Sequence, residues 1–108
     1  KGEGVEKDEE KGVYHYEKAA ICGNPWARYN LACYERRQCN TSRAVKHFII
    51  AANLGYEKSM KALWKCYKHG YITKENLDAT LRTHQAAIDA MKSEQRDAAD
   101  VVFKNYKE

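Results

Sequence analysis

The sequence predicts an all-α fold, a right-handed α-solenoid of about six helices stacked as antiparallel pairs. Three observations carry that expectation. First, the chain repeats itself. Arg43 to Tyr67, RAVKHFIIAANLGYEKSMKALWKCY, shifted back by 32 residues, falls on Lys11 to Glu35, KGVYHYEKAAICGNPWARYNLACYE. Ala19-Ala20 lands on Ala51-Ala52, Gly23 on Gly55, Leu31 on Leu63 and His15 on His47. Second, apolar and small residues recur at three- and four-residue spacing, the period of a helix with one buried face. Third, the single Pro and most of the six Gly fall between those stretches, where helices stop and start. A helix pair of this length cannot bury its apolar face alone, so neighbouring pairs bury it jointly in a superhelical stack.

Each element follows in order. Lys1 to Lys7 reads as a connecting loop, with Asp8 as the cap of a first helix over about Glu9 to Cys22. Val13, Tyr16, Ala19 and Ala20 make its buried face. Gly23-Asn24 ends it, and Pro25 suits the first turn of a second helix to about Arg36, packed through Ala27, Leu31 and Ala32. Asn40, 32 residues after Asp8, repeats the cap position. The third helix is expected over Thr41 to Leu54, with Ala44, Phe48, Ala51 and Ala52 inward, and Gly55 ends it. The fourth, over Glu57 to His69, is expected to bury Met60, Leu63, Trp64 and Tyr67, and Gly70 stops it. Thr73 caps a fifth, over Lys74 to Met91, with Leu77, Leu81, Ala86, Ala87 and Ile88 inward. Here the offset becomes 35, so Ala90 stands where Gly55 stood and the stop signal weakens. A terminal helix is expected over about 94–106, placing Ala98, Ala99, Val102 and Tyr106 against the array.

The totals fit one domain over residues 1–108, about two and a half repeats. Hydrophobic residues are 44% and charged residues 31%, the balance of a folded soluble chain. A net charge of +4 is mild and does not by itself demand nucleic acid. No stretch approaches the ~20 apolar residues of a membrane span. The chain opens inside the repeat pattern without an initiating Met or a signal-like run, and so reads as a fragment of a longer array. Cys22, Cys33, Cys39 and Cys66 do not recur at the repeat spacing, which favours four reduced thiols over a disulfide framework. The expected location is intracellular and cytoplasmic, with organelle targeting left open.

The stretch Gly2-Glu3-Gly4-Val5-Glu6-Lys7-Asp8-Glu9-Glu10-Lys11 resembles the G-x-G-V-x-x-D-x-x-K segment of Sel1-like repeats. Lys18-Ala19-Ala20 followed by Gly23 is similar to their K-A-A-x-x-G helix end. Ala27-x-x-x-Leu31 and Ser59-x-x-x-Leu63-x-x-x-Tyr67-x-x-Gly70 resemble the A-x-x-x-L-G-x-x-Y-x-x-G helix that follows. The resemblance covers residues 1–70 well and 71–106 more loosely, and the chain as a whole resembles the Sel1 sets of diatoms and related algae. Three departures stand out. Ala32 and Trp64 replace the glycine after the leucine, His15 and His47 replace a usual tryptophan, and Arg37-Gln38-Cys39-Asn40 lacks the G-x-G-V loop. The resemblance implies a relative of tetratricopeptide solenoids that acts as a protein-interaction scaffold or adaptor. It implies no catalytic residues and no cofactor.

One face stands out as a candidate site. Lys58, Lys61, Lys65 and Lys68 recur at i, i+3, i+7 and i+10, on one side of the fourth helix. Their repeat equivalents are Trp26, Tyr29, Cys33 and Arg36. In tetratricopeptide-like stacks the first helix of each pair lines the concave surface, so these eight residues are expected to join a basic stripe to an aromatic patch. That pattern suits an acidic peptide or a protein C-terminus, drawn by charge and anchored by rings. The competing expectation is a solvated lysine face beside ordinary core aromatics. A subunit role within a larger assembly fits the same surface. The alternative of a different class is a helical-repeat binder of single-stranded RNA, but a one-base-per-repeat code needs the same selectors in each unit, and Trp26 against Lys58 breaks that regularity. His15, His47, His69 and His84 read as helix residues rather than metal ligands. No zinc spacing, phosphate loop or nucleophile elbow occurs, so no enzyme is expected.

Overall fold

The computed structural model describes the backbone of residues 2–107 and the side chains of residues 11–95. It contains five helices: α1 (Gly2–Ile21), α2 (Pro25–Arg37), α3 (Thr41–Asn53), α4 (Glu57–Lys68) and α5 (Lys74–Lys107). No strand occurs among the described residues, and the chain is a helical repeat solenoid.

The four turns share one hydrogen-bonding scheme. In each, one amide closes on the carbonyl three residues back and the next amide reaches five back. Gly23 N–H donates to Ala20 and Asn24 N–H to Ala19; Gly55 and Tyr56 do the same to Ala52 and Ala51, and Gly70 and Tyr71 to Tyr67 and Cys66. This is the Schellman motif, which needs a left-handed residue at its pivot. Gly23, Gly55 and Gly70 supply φ of 90°, 94° and 78°. Cys39 makes the same turn after α2 at φ 63°, through Cys39 N–H to Arg36 and Asn40 N–H to Glu35. After the turns, Asn24 caps α2 by accepting from Ala27 N–H at 3.2 Å, and Thr73 Oγ1 caps α5 by accepting from Asn76 N–H at 3.2 Å. Asn40 holds the cap position of α3, but its side chain donates to Glu35 Oε2 at 2.8 Å instead of capping the helix.

Two expected boundaries are corrected. The loop over Lys1 to Lys7 and the Asp8 cap are absent, because α1 is helical from Gly2. Glu3, Glu6, Lys7, Glu9 and Glu10 are good helix formers, and two glycines cost only about 1 kcal/mol each relative to Ala. The separate terminal helix is also absent. With Ala90 in place of a glycine, and no Pro nearby, α5 continues to Lys107. The expected packing of Ala98, Ala99, Val102 and Tyr106 lies outside the described side chains.

The core sits around α3, which packs on α2, α4 and α5. Its main cluster joins Ala32, Ala44, Val45, Phe48, Ala52, Met60, Leu63, Ile72 and Leu77. Burying Phe48, Leu63 and Leu77 contributes roughly 1.5–3 kcal/mol each. A smaller cluster of Ala20, Ala27 and Leu31, flanked by Val13, Tyr16 and Ala19, joins α1 to α2. Ala27, Ala32, Ala51 and Ala52 are fully buried, which lets the helices approach closely. Trp64 and Tyr67 are not in the core as expected; they are 44% and 39% exposed. Trp64 repeats the position of Ala32, which the main cluster encloses, and among the described residues no further unit covers it. Ala86 is likewise exposed, because α5 turns Leu77, Thr80 and His84 inward instead.

Equivalent carbonyls tie successive units together. Arg28 Nη2 donates to the Ala20 carbonyl at 3.3 Å, and His84 Nδ1 to the Ala52 carbonyl at 2.8 Å. Those carbonyls already accept from the pivot glycines, so the α1–α2 and α3–α4 turns are each anchored twice. A Cβ on Gly55 would meet Met91 Cε at 2.6 Å as well as an unfavourable φ. Gly55→Ala is expected to cost about 1–2 kcal/mol and lower Tm by about 5–10 °C in a thermal melt. His84→Ala is expected to cost about 2 kcal/mol, through a lost buried hydrogen bond and a small cavity, measured by urea unfolding.

Candidate binding groove between α2 and α4

The surface between the ends of α2 and α4 is concave. A groove of about 400 Å³ crosses α3 there. Ala44, Val45 and Phe48 of α3 and Ala62 of α4 form its apolar floor. Arg36 stands on the α2 side, and Lys65 and Cys66 on the α4 side. Cys39 and Thr41 border it at the α2–α3 turn, His69 and Tyr71 at the α4–α5 turn. The His69 and Tyr71 rings lie 5.9 Å apart. Among the described residues no carboxylate lines the groove, and its charged lining groups are Arg36 and Lys65. Burial pushes the Cys66 thiol above its ordinary value, against the opposing pull of Arg36.

The eight residues singled out from the sequence divide into four groups. Arg36 and Lys65 come together across the groove. Lys58, Lys61 and Lys68 are exposed along α4 outside its lining. Trp26 is 52% exposed and packs edge-on against Tyr16 of α1 at 5.5 Å. Tyr29 and Cys33 are half-buried against the core. Tyr29 is wedged between Phe48 at 5.7 Å and Tyr56 at 5.4 Å. Burial and the neighbouring Cys33 raise its phenol above the ordinary value. The continuous basic and aromatic stripe expected across both helices is therefore broken at Tyr29 and Cys33, which serve packing. Apart from Arg36 and Lys65, the groove residues, Val45, Phe48, Cys39, Cys66, His69 and Tyr71 among them, are not among the eight the repeat pattern marks. Only the i to i+3 spacing of Cys66 and His69 beside Lys65 carried any signal, since the floor comes from a different helix.

A second hollow of about 230 Å³ lies between α1, α2 and α3, lined by Glu17, Ile21, Arg28, Leu31, Glu35 and His47. Arg28 Nη1 approaches His47 Nδ1 at 3.4 Å, so the imidazole accepts there and is neutral. Burial, then the Arg28 charge, lower the His47 pKa. His15, at the equivalent repeat position, is exposed on α1, its ring 5.8 Å from that of Tyr14. Among the described residues, no three His, Cys, Asp or Glu side chains are grouped to hold a metal ion, and none of the four cysteines is in a disulfide. No helix among the described residues is long and apolar enough to cross a membrane.

A family model for the Sel1 repeat matches residues 1–24 and 27–56, together half of the chain. The chain belongs to the Sel1 repeat family. The second match takes α2 and α3 as one unit, and this is the most extensive helix pairing in the fold. In that register α2 and α4 are the first helices of successive units, and the groove lies between them. Neither the curated proteins nor the solved structures contain a match to the chain. Sel1 repeats are protein–protein interaction modules that act as non-catalytic scaffolds.

The His47 environment sets a pH dependence. Its folded pKa lies below the ordinary 6.5, so the unfolded chain binds more protons as pH falls through that value. Stability therefore rises with pH through this window and is lost below it. Urea midpoints are expected to be higher at about pH 7.5 than at about pH 5.5, and His47→Gln is expected to reduce that difference.

Proposed function

We propose that the protein is an interaction module that receives an acidic segment of a partner protein, with one apolar side chain seated in the groove between α2 and α4. The observation that carries this reading is the lining itself: an apolar floor of Val45 and Phe48 flanked by Arg36 and Lys65, with no acidic residue among the described lining groups. An apolar anchor gains from leaving water, while carboxylates beside it meet cations on both walls. The remaining lysines of α4 extend the positive field beyond the groove and favour fast encounter with an acidic partner. A place as a subunit of a larger assembly is compatible with the same surface.

The exposed Trp64 and Tyr67 beside Lys61, Lys65 and Lys68 give single-stranded RNA a rival claim, since bases stack on such rings and phosphates pair with such cations. The groove favours the peptide reading, because a concave apolar floor suits a side chain rather than a stacked base.

Fluorescence anisotropy with labelled peptides separates these readings. A peptide carrying Leu or Phe between Glu residues is expected to bind more tightly than its Gln-substituted counterpart. Arg36→Glu/Lys65→Glu is expected to weaken it about tenfold or more, about 1.4 kcal/mol or above. Lys58→Glu/Lys61→Glu, outside the groove, is expected to have a smaller effect that fades with salt. Equal affinity for the acidic and neutral peptides, or tighter salt-dependent binding of single-stranded RNA, overturns the reading.

A further inference from the structure

The outer face of α4 carries groups that the groove does not use. Lys58, Lys61, Lys65 and Lys68 are exposed there, while Ser59, Met60 and Leu63 face the core. Four lysines against one glutamate, Glu57, stand on this 12-residue helix, in a chain whose net charge is +4. Most of the excess charge is thus gathered on one helix face. Going round α4, the lysine row lies between two flanks. Ala62 and Cys66 on one flank line the groove. Trp64 and Tyr67 on the other are exposed rings. Trp64 sits one turn after Lys61 and one turn before Lys68, so ring and ammonium groups alternate along the edge of the row. The repeat itself does not call for either ring. Their equivalents 32 residues earlier are Ala32, enclosed in the core, and Glu35.

We infer that this face docks on an anionic lipid surface, with α4 lying along the membrane plane. The lysine ammonium groups meet the negative headgroup layer, and each adds a favourable term that salt weakens. Trp64 and Tyr67 enter the interfacial region, where such rings settle with the apolar body inward and the polar tip among the headgroups. Three features favour a lipid surface over a single-stranded nucleic acid. The cations of α4 are all lysines, flexible point charges, whereas the planar fork of arginine is the group suited to gripping nucleic-acid phosphates. The face belongs to one helix and is convex, whereas strand binders track the backbone through a charged groove. The rings lie at the edge of the lysine row, the pattern of an amphipathic helix that rests on a bilayer. The attachment is peripheral, since no helix among the described residues is long and apolar enough to span a membrane. Ala62 and Cys66 are on the far flank, so the groove stays open to a partner while α4 is docked.

Co-sedimentation of the folded chain with vesicles tests this, using phosphatidylcholine alone and phosphatidylcholine with about one-third phosphatidylserine. Binding is expected to the anionic vesicles only, and it is expected to fall as salt rises. Lys61→Gln/Lys68→Gln removes two cations that do not line the groove. It is expected to weaken vesicle binding about fivefold per lysine, about 25-fold together. The chain has two tryptophans, so Trp26→Phe leaves Trp64 as the sole reporter. Its emission is expected to move to shorter wavelength with anionic vesicles and to stay unchanged with neutral ones. Trp64→Ala is expected to weaken binding severalfold. All four side chains are exposed, and circular dichroism is expected to be the same for every variant. Equal binding to both kinds of vesicle overturns the inference, as does anionic binding that leaves the Trp64 emission unmoved or survives Lys61→Gln/Lys68→Gln. Binding of oligouridylate without binding to vesicles assigns the face to nucleic acid and overturns it too. Peptide anisotropy reads the groove separately. Absent vesicle binding with peptide binding intact sinks this inference alone, and the reverse result sinks only the proposed function.

Discussion

The hydrogen-bonded turn that ends each of the first four helices is the constraint on which the rest of the structure depends. Each turn reverses the chain by closing two amides onto the last carbonyls of the helix, around a residue in the left-handed region. The geometry sets the direction in which the next helix leaves, and hence which faces meet. It also leaves a carbonyl lone pair that the following unit uses. Arg28 binds the Ala20 carbonyl and His84 the Ala52 carbonyl, at positions 32 residues apart. One local device thus both terminates helices and registers repeats. Where it is missing, at Ala90, the helix simply continues.

The groove follows from the same arrangement. Units join through the second helix of one, α3, which packs against both helices of the next. Their first helices, α2 and α4, flank a trough whose floor is the N-terminal half of α3. Because the α2–α3 and α4–α5 turns open onto that trough, their residues define its rim. Binding chemistry can therefore vary at Arg36, Lys65 and His69 with little effect on packing, which depends on Phe48, Leu63 and the buried alanines. The repeat positions that hold the stack and the positions that face a partner are largely different residues.

Much of this was legible in the sequence. The 32-residue self-match, the alanine pairs and the pivot glycines placed α2, α3 and α4 within one residue of their observed bounds. Those signals are local, arising from helix periodicity and from the sterics of a left-handed residue. Boundaries without such a signal were misread. Gly2 and Gly4 looked like loop residues but sit within α1, since strong helix formers around them outweigh their cost. Trp64 and Tyr67 looked buried because periodicity marks a face as apolar but does not say whether another unit covers it.

By itself the sequence determined a helical repeat solenoid of the Sel1 family, its turns and its small-residue helix contacts. Only the tertiary structure decided that Arg36 and Lys65 share a groove while Tyr29 and Cys33 turn into the packing. It alone brought Cys39 and Cys66 to that groove. The physical reason is that a repeat offset relates equivalent positions on α2 and α4 without stating how far apart the two helices stand. That spacing is set by the side chains of α3 between them, and only the packed core fixes it.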